Sequence, residues 1–165
     1  MVQALISLGS NIDREANLPA AFERLGSHPA MILVAASDTF ETPAIGDDGS
    51  RSGQEAFHNA AALIETALSA VDLRSVLRAI EEELGRVRTA DKFAARPIDL
   101  DIALYSDVVL DLEGSHIPDP DILRYPHVVV PLANVAPDWV HPTTGDTLRQ
   151  IAYRLANSKM ENVSQ

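Results

Sequence analysis

The chain has 165 residues, 46% of them hydrophobic and 22% charged, and no cysteine. That composition suits one soluble globular domain with a real core and excludes collagen-like and wholly disordered classes. It also excludes disulfides, thiolate metal sites and cysteine nucleophiles, while a formal net charge of −11 argues against general nucleic-acid or anionic-membrane binding.

The first residues, Met1 to Leu8, are apolar but carry neither a basic flank nor an A-x-A-like cleavage site. They read as a strand rather than a signal peptide, and a cytoplasmic protein is the simplest reading. Val2, Ala4, Ile6 and Leu8 alternate with polar residues up to Gly9-Ser10-Asn11. Leu18, Phe22 and Leu25 then recur at helical spacing, with Gly26 placed to stop the helix and Pro19 tolerable only in a first turn. Residues 31–40 read as a second strand and Phe57 to Thr66 as a third, and the Pro, Gly and Ser content between them marks a long loop. Ser69 followed by Asp72 resembles a capping box, Leu73, Val76, Leu77, Ile80 and Leu84 form an apolar helical stripe, and Gly85 sits where a helix-terminating glycine belongs. Ile98 to Tyr105 is a fourth strand, with a short hairpin return at Val108 to Leu110. Helices are predicted near Val128 to Ala136 and Thr147 to Leu155. The order strand, helix, strand, strand, helix, strand predicts an α+β fold, a ferredoxin-like βαββαβ sandwich with an antiparallel sheet and additional C-terminal helices. One domain spans residues 1–156, and polar residues 157–165 read as a flexible tail.

Two features carry chemistry. Arg86, Arg88, Lys92 and Arg96 form a basic island in an acidic chain. Such an island fits an anionic ligand, or is a solvated loop whose arginines pair with Glu81, Glu82 or Glu83. Immediately downstream, Asp99 and Asp101 alternate with Leu100 on a strand, so both carboxylates share a face about 6.6 Å apart along the chain. They are either magnesium ligands, as hard oxygen donors, or acids on the wet side of a half-exposed strand. Acids for a metal beside arginines for phosphate are the two halves of a nucleoside triphosphate site. Asn59 reads either as a turn residue or as a hydrogen-bonding group in a pocket. There is no Walker loop, no kinase glycine-rich loop and no zinc-type histidine grouping.

Five segments, SLGSN (7–11), FETPAIG (40–46), FHNAAALIET (57–66), EELGRVR (82–88) and RPIDLDIALY (96–105), resemble in order and spacing the 6-hydroxymethyl-7,8-dihydropterin pyrophosphokinase family of folate biosynthesis. PLANVAPDWVHP, residues 131–142, extends the match, and GRVR followed by R-x-x-D-L-D is its most specific part. The resemblance implies transfer of the terminal pyrophosphate of ATP to the hydroxymethyl oxygen of the pterin, with AMP released. It implies two magnesium ions on Asp99 and Asp101, with Arg86 and Arg96 acting on the phosphates and Arg88 and Lys92 as accessory cations. Glu81 and Ile102 match nucleotide-side positions. Thr42, Pro43 and Ile45 match the loop lining the pterin pocket, Asn59 a pterin hydrogen-bonding residue, and Phe57 and His127 the stacking positions. The implied partners are ATP and a hydroxymethyl-dihydropterin, with no nucleic acid and no membrane, in a monomer or weak homodimer.

The chain departs from the family pattern in places. Phe93-Ala94-Ala95 stands where the family has Trp-Gly-Pro, Asp119 where it has a histidine, Tyr125 where it has an arginine, and His127 at an aromatic position. Loss of a cation and gain of an acid weaken nucleotide binding unless another residue compensates. A related enzyme acting on a modified pterin, a non-catalytic pterin- or nucleotide-binding paralogue and a metal-dependent phosphohydrolase are the competing readings.

Overall fold

The computed structural model describes residues 1–11, 14–42, 57–85 and 98–163. Strands β1 (Val2–Ser10), β2 (Met31–Ala36), β3 (Phe40–Thr42), β4 (Phe57–Thr66) and β5 (Asp99–Tyr105) form one sheet of order β2-β4-β1-β5, with β3 also on β4. Every pairing in it is antiparallel. Helix α1 (Arg14–Ser27) joins β1 to β2, and α2 (Ala70–Glu83) joins β4 to β5. This is the ferredoxin-like arrangement.

Each sheet face has its own core. Alternation in β1 and β4 sends Ala4, Ile6, Leu8, Ala60, Ala62 and Ile64 to one face, where Leu18, Ala21 and Leu25 of α1 and Leu73, Leu77 and Ile80 of α2 cover them. Each leucine or isoleucine fully buried there contributes about 1.5–3 kcal/mol. An ion pair between Arg24 and Glu83 links the two helices at the surface. The opposite face, with Leu5, Ala61, Ala103 and Leu104, is covered by α3 (Pro126–Val135) and α4 (Leu148–Val163). A short hairpin, β6 (Leu110–Leu112) and β7 (Ser115–Ile117), and a 3₁₀ turn, Pro120–Leu123, connect β5 to α3.

Local signals place α2 well. Ser69 Oγ accepts from the Asp72 N–H at 3.2 Å, and Gly85 follows the helix at φ +94°, a conformation that favours glycine. Four expectations need correction. Gly26 does not end α1, which runs to Ser27, and Pro19 lies inside that helix rather than in its first turn. The carbonyl that Pro19 cannot serve belongs to Glu15, in an exposed first turn that water can reach. Residues 31–40 are not one strand. The Ser37 N–H still donates to Ala61 O at 2.9 Å, but the Ser37 hydroxyl accepts from Ala61 N at 2.7 Å and Asn134 Oδ1 of α3 accepts from Asp38 N at 2.9 Å, so side chains take over the pairing beyond Ala36. The hairpin after β5 pairs residues 110–112 with 115–117, beyond the predicted Val108–Leu110. Helix α4 covers the predicted helix near Thr147 to Leu155 and runs on to Val163. Among the described residues, no helix is long and apolar enough to cross a membrane.

The segment from α3 to α4 turns on His141, which is 3% exposed. Its Nδ1 accepts from the backbone N–H groups of Thr143 and Thr144 at 3.2 and 3.3 Å, so the ring serves as a neutral acceptor. Burial holds its pKa below the usual 6.5, against the opposing charge of Asp146. Between the folded value and 6.5 the unfolded chain binds the proton and the folded chain does not. This group therefore supports the fold fully above about 6.5, and its support is lost as pH falls through the folded value. His141→Asn keeps a backbone acceptor but does not titrate. Urea unfolding at pH 7.5 and 5 is expected to show a smaller acid loss in the variant than in the parent; equal losses would contradict the assignment.

Candidate active site

Strand register builds the site. Across β1, Gly9 pairs with Asp99 on one side and Asn59 on the other, and Ser7 pairs with Asp101 and Ala61. Directly opposed residues share a face, so Asp99, Asp101, Ser7, Gly9 and Asn59 lie on the same side of the sheet. Phe40 and Thr42 of β3 join that face opposite Asn59 and Phe57. Leu100 and Ile102 take the other face and are buried in the core that α2 covers.

The β4 end is organised by Asn59, whose Nδ2 donates to Thr42 Oγ1 at 2.8 Å. A methyl group on Gly9 would lie 3.6 Å from Asn59 Oδ1 and 3.8 Å from Phe57 Cδ1. The space above Gly9 is thus bordered by an amide oxygen and an aromatic edge, with Asp99 across the strand. Two strand spacings, about 10 Å, separate Asn59 from Asp99. Helix α3 packs on this face against β1, β3 and β4. His127, in its first turn, stacks on Tyr125 with ring centroids 5.3 Å apart and planes at 26°.

The acidic end is held from behind. Leu100, between the two aspartates, donates its N–H to Glu81 Oε2 at 2.7 Å, and Glu81 is only 1% exposed. The resemblance puts Glu81 at a nucleotide-side position; its carboxylate is buried against the β5 backbone at Leu100, a residue that lines the cleft described next. Its contribution is to fix the peptide that carries Asp99 and Asp101.

A cleft of about 290 Å³ opens beside β5, between α2 and the β6–β7 hairpin. Leu77, Leu100, Ile102 and Leu112 give it apolar walls, Arg74 and Arg78 line the α2 side, and Asp101 and Asp119 add carboxylates. The Asp119 N–H donates to Ala103 O at 2.9 Å, fastening this segment to β5, and its Oδ1 accepts from Asp121 N at 2.9 Å. Burial, with the nearby charges of Asp121 and Asp99, raises the Asp119 pKa above the usual carboxylate value, against the Asp121 N–H and Arg124.

Asp99 and Asp101 fit magnesium: both offer hard oxygens from one strand face, and that ion commonly takes one or two carboxylates and completes its shell with phosphate and water. Among the described residues no group of three or more His, Asp or Glu side chains could form an all-protein cage. Ser7 Oγ, in the same row as Asp101, is buried without a hydrogen-bond partner among the described residues. Arg86, Arg88, Lys92, Arg96, Pro43 and Ile45 lie outside the described residues, as does Phe93-Ala94-Ala95. The structure brings Asp99, Asp101, Thr42, Phe57 and Asn59 onto one face and puts Ile102 in the cleft wall. Sequence reasoning missed Arg74 and Arg78. Their signal was two arginines one helical turn apart beside Leu77, a like-charge pair that costs a few tenths of a kcal/mol without an opposing charge.

The family model of 7,8-dihydro-6-hydroxymethylpterin-pyrophosphokinase (HPPK) matches residues 5–137. The chain belongs to that family. The 2-amino-4-hydroxy-6-hydroxymethyldihydropteridine pyrophosphokinase of Methylorubrum extorquens is 37% identical over 164 residues, 99% of each chain. The Haemophilus influenzae protein of the same name is 34% identical over 161 residues, 97% of each chain. Among solved structures, Plasmodium falciparum HPPK-DHPS with SDX-DHP superposes with a TM-score of 0.74 at 14% identity, covering 100% of this chain and 45% of that one. At that identity the likeness shows the fold, and this chain spans less than half of the longer protein.

The Glu81 contact carries a stability expectation. A buried hydrogen bond to a charged group contributes about 1.5–3 kcal/mol. Glu81→Ala should lower stability by about 2 kcal/mol in urea unfolding, and Glu81→Gln, which keeps an acceptor, by less. An alanine variant as stable as the parent would show that Leu100 does not depend on this carboxylate.

Proposed function

We propose that the chain transfers the terminal pyrophosphate of ATP to the hydroxymethyl oxygen of 6-hydroxymethyl-7,8-dihydropterin, giving the pterin pyrophosphate and AMP. The observation that carries this reading is the continuous face on which the paired carboxylates of β5 and the Thr42–Phe57–Asn59 group of β3 and β4 flank the open floor at Gly9. The pterin hydroxyl oxygen attacks the β-phosphorus, the bond from that phosphorus to the oxygen bridging the α-phosphate breaks, and its electron pair leaves with AMP. The hydroxyl proton passes to solvent water, which balances the step.

The residues divide the work by chemistry. Asn59 Oδ1 accepts from the amino or ring N–H groups of the pterin while Nδ2 stays on Thr42, and Phe57 offers an aromatic edge. His127 supplies a second flat face from α3, and Pro43 and Ile45 the adjoining loop. Asp99 and Asp101 would hold two magnesium ions, which would supply positive charge to neutralise the phosphates. Ile102 walls the nucleotide cleft, and Glu81 keeps both carboxylates in place through Leu100. Arg86 and Arg96, with Arg88 and Lys92, take the remaining phosphate charge through planar or point-charge donors. No covalent intermediate is required, because positioning two substrates and neutralising the transferred group supply the catalysis.

Asp99→Asn and Asp101→Asn test this directly. Each removes a metal-binding charge and relieves like-charge repulsion, so stability should hold while magnesium-dependent AMP formation falls at least about 100-fold. Full activity in either variant would remove the metal assignment.

A further inference from the structure

We infer that Arg74 is the nucleobase-stacking residue of this cleft and sets its preference for purine nucleotides, a step that rests on the nucleotide reading above. Polarity along the cleft comes first. Asp101 marks one end, and Glu81, near the C-terminal end of α2, is bonded to the neighbouring peptide at Leu100. Arg74 lies seven residues earlier on the same helix, about 10 Å back along its axis. The carboxylate end is where a metal-bound triphosphate belongs, which leaves the Arg74 end for the nucleoside.

The surroundings of Arg74 suit a base rather than a phosphate. Arg74, half-buried as a residue, reaches across from α2 to the hairpin turn, where a methyl group added to Gly114 would lie 3.3 Å from Arg74 Nη2. Gly114 also has φ +80°, so the turn needs glycine for its backbone as well as for this approach. Leu77, Ile102 and Leu112 line the same cleft with apolar surface. A planar cation beside these apolar side chains is the environment that takes an aromatic ring, through dispersion on one side and cation–π attraction on the other.

The test titrates the full chain with MgATP, MgCTP and magnesium tripolyphosphate by calorimetry, in the parent and in Arg74→Leu and Arg74→Lys. Both variants should weaken MgATP about tenfold and narrow the ATP-to-CTP preference, while tripolyphosphate binding stays within about twofold. Lysine should not rescue, because it keeps charge but lacks the plane. Three results would overturn the inference: parallel weakening of tripolyphosphate, which makes Arg74 a phosphate ligand; unchanged ATP binding; or full rescue by lysine. If the parent binds neither ATP nor tripolyphosphate, the nucleotide reading itself fails and this inference with it.

Discussion

Strand β5 must meet two environments at once, and the rest of the site depends on how it does so. It is an end strand of the sheet, so β1 satisfies only one of its edges. The N–H of Leu100 on the other edge would be left in an apolar region without Glu81, whose buried carboxylate accepts it. That bond fixes the strand's rotation. With Leu100 and Ile102 sealed against α2, Asp99 and Asp101 have no choice but the opposite face. A buried acid on α2 therefore decides where the two carboxylates of β5 point.

The same sheet face is a site at one end and a core at the other. A register shift between Leu5 and Ile6 in the β1–β5 ladder lets both Ala103 and Leu104 reach the core under α3 and α4. Two residues earlier the strand is acidic and open. Helix α3 joins the two halves: Val129 and Leu132 pack into the core, while His127 in the first turn stays beside Tyr125. Asn134 of the same helix holds the β2–β3 break through Asp38. Packing that stabilises the lower half of the face thereby positions groups at the upper half.

Much of this was legible in sequence because its causes are local. Strand alternation put Asp99 and Asp101 together, β4 spans Phe57–Thr66 as its apolar pattern predicts, and Ser69 and Gly85 bracket α2 as caps do. What was not legible depends on distant partners. The break after Ala36 needs Ala61 and Asn134, which no window around residue 37 contains. Glu81 read as a nucleotide-side position or as a partner for the loop arginines, and its bond to Leu100 emerged only when the fold brought β5 beside α2. Arg74 gained meaning only when the hairpin brought Gly114 against it. The resemblance motifs named the chemistry, whereas these contacts explain why the residues stand where the chemistry needs them.

The central claim is that a pyrophosphoryl group, rather than a phosphoryl group, moves to the pterin. Phosphorus NMR of the reaction of the full chain with MgATP and 6-hydroxymethyl-7,8-dihydropterin tests it in one spectrum. AMP and a pterin diphosphate ester should appear in equal amounts, and neither should form without the pterin. ADP with a pterin monophosphate, or inorganic phosphate formed regardless of the pterin, would contradict it.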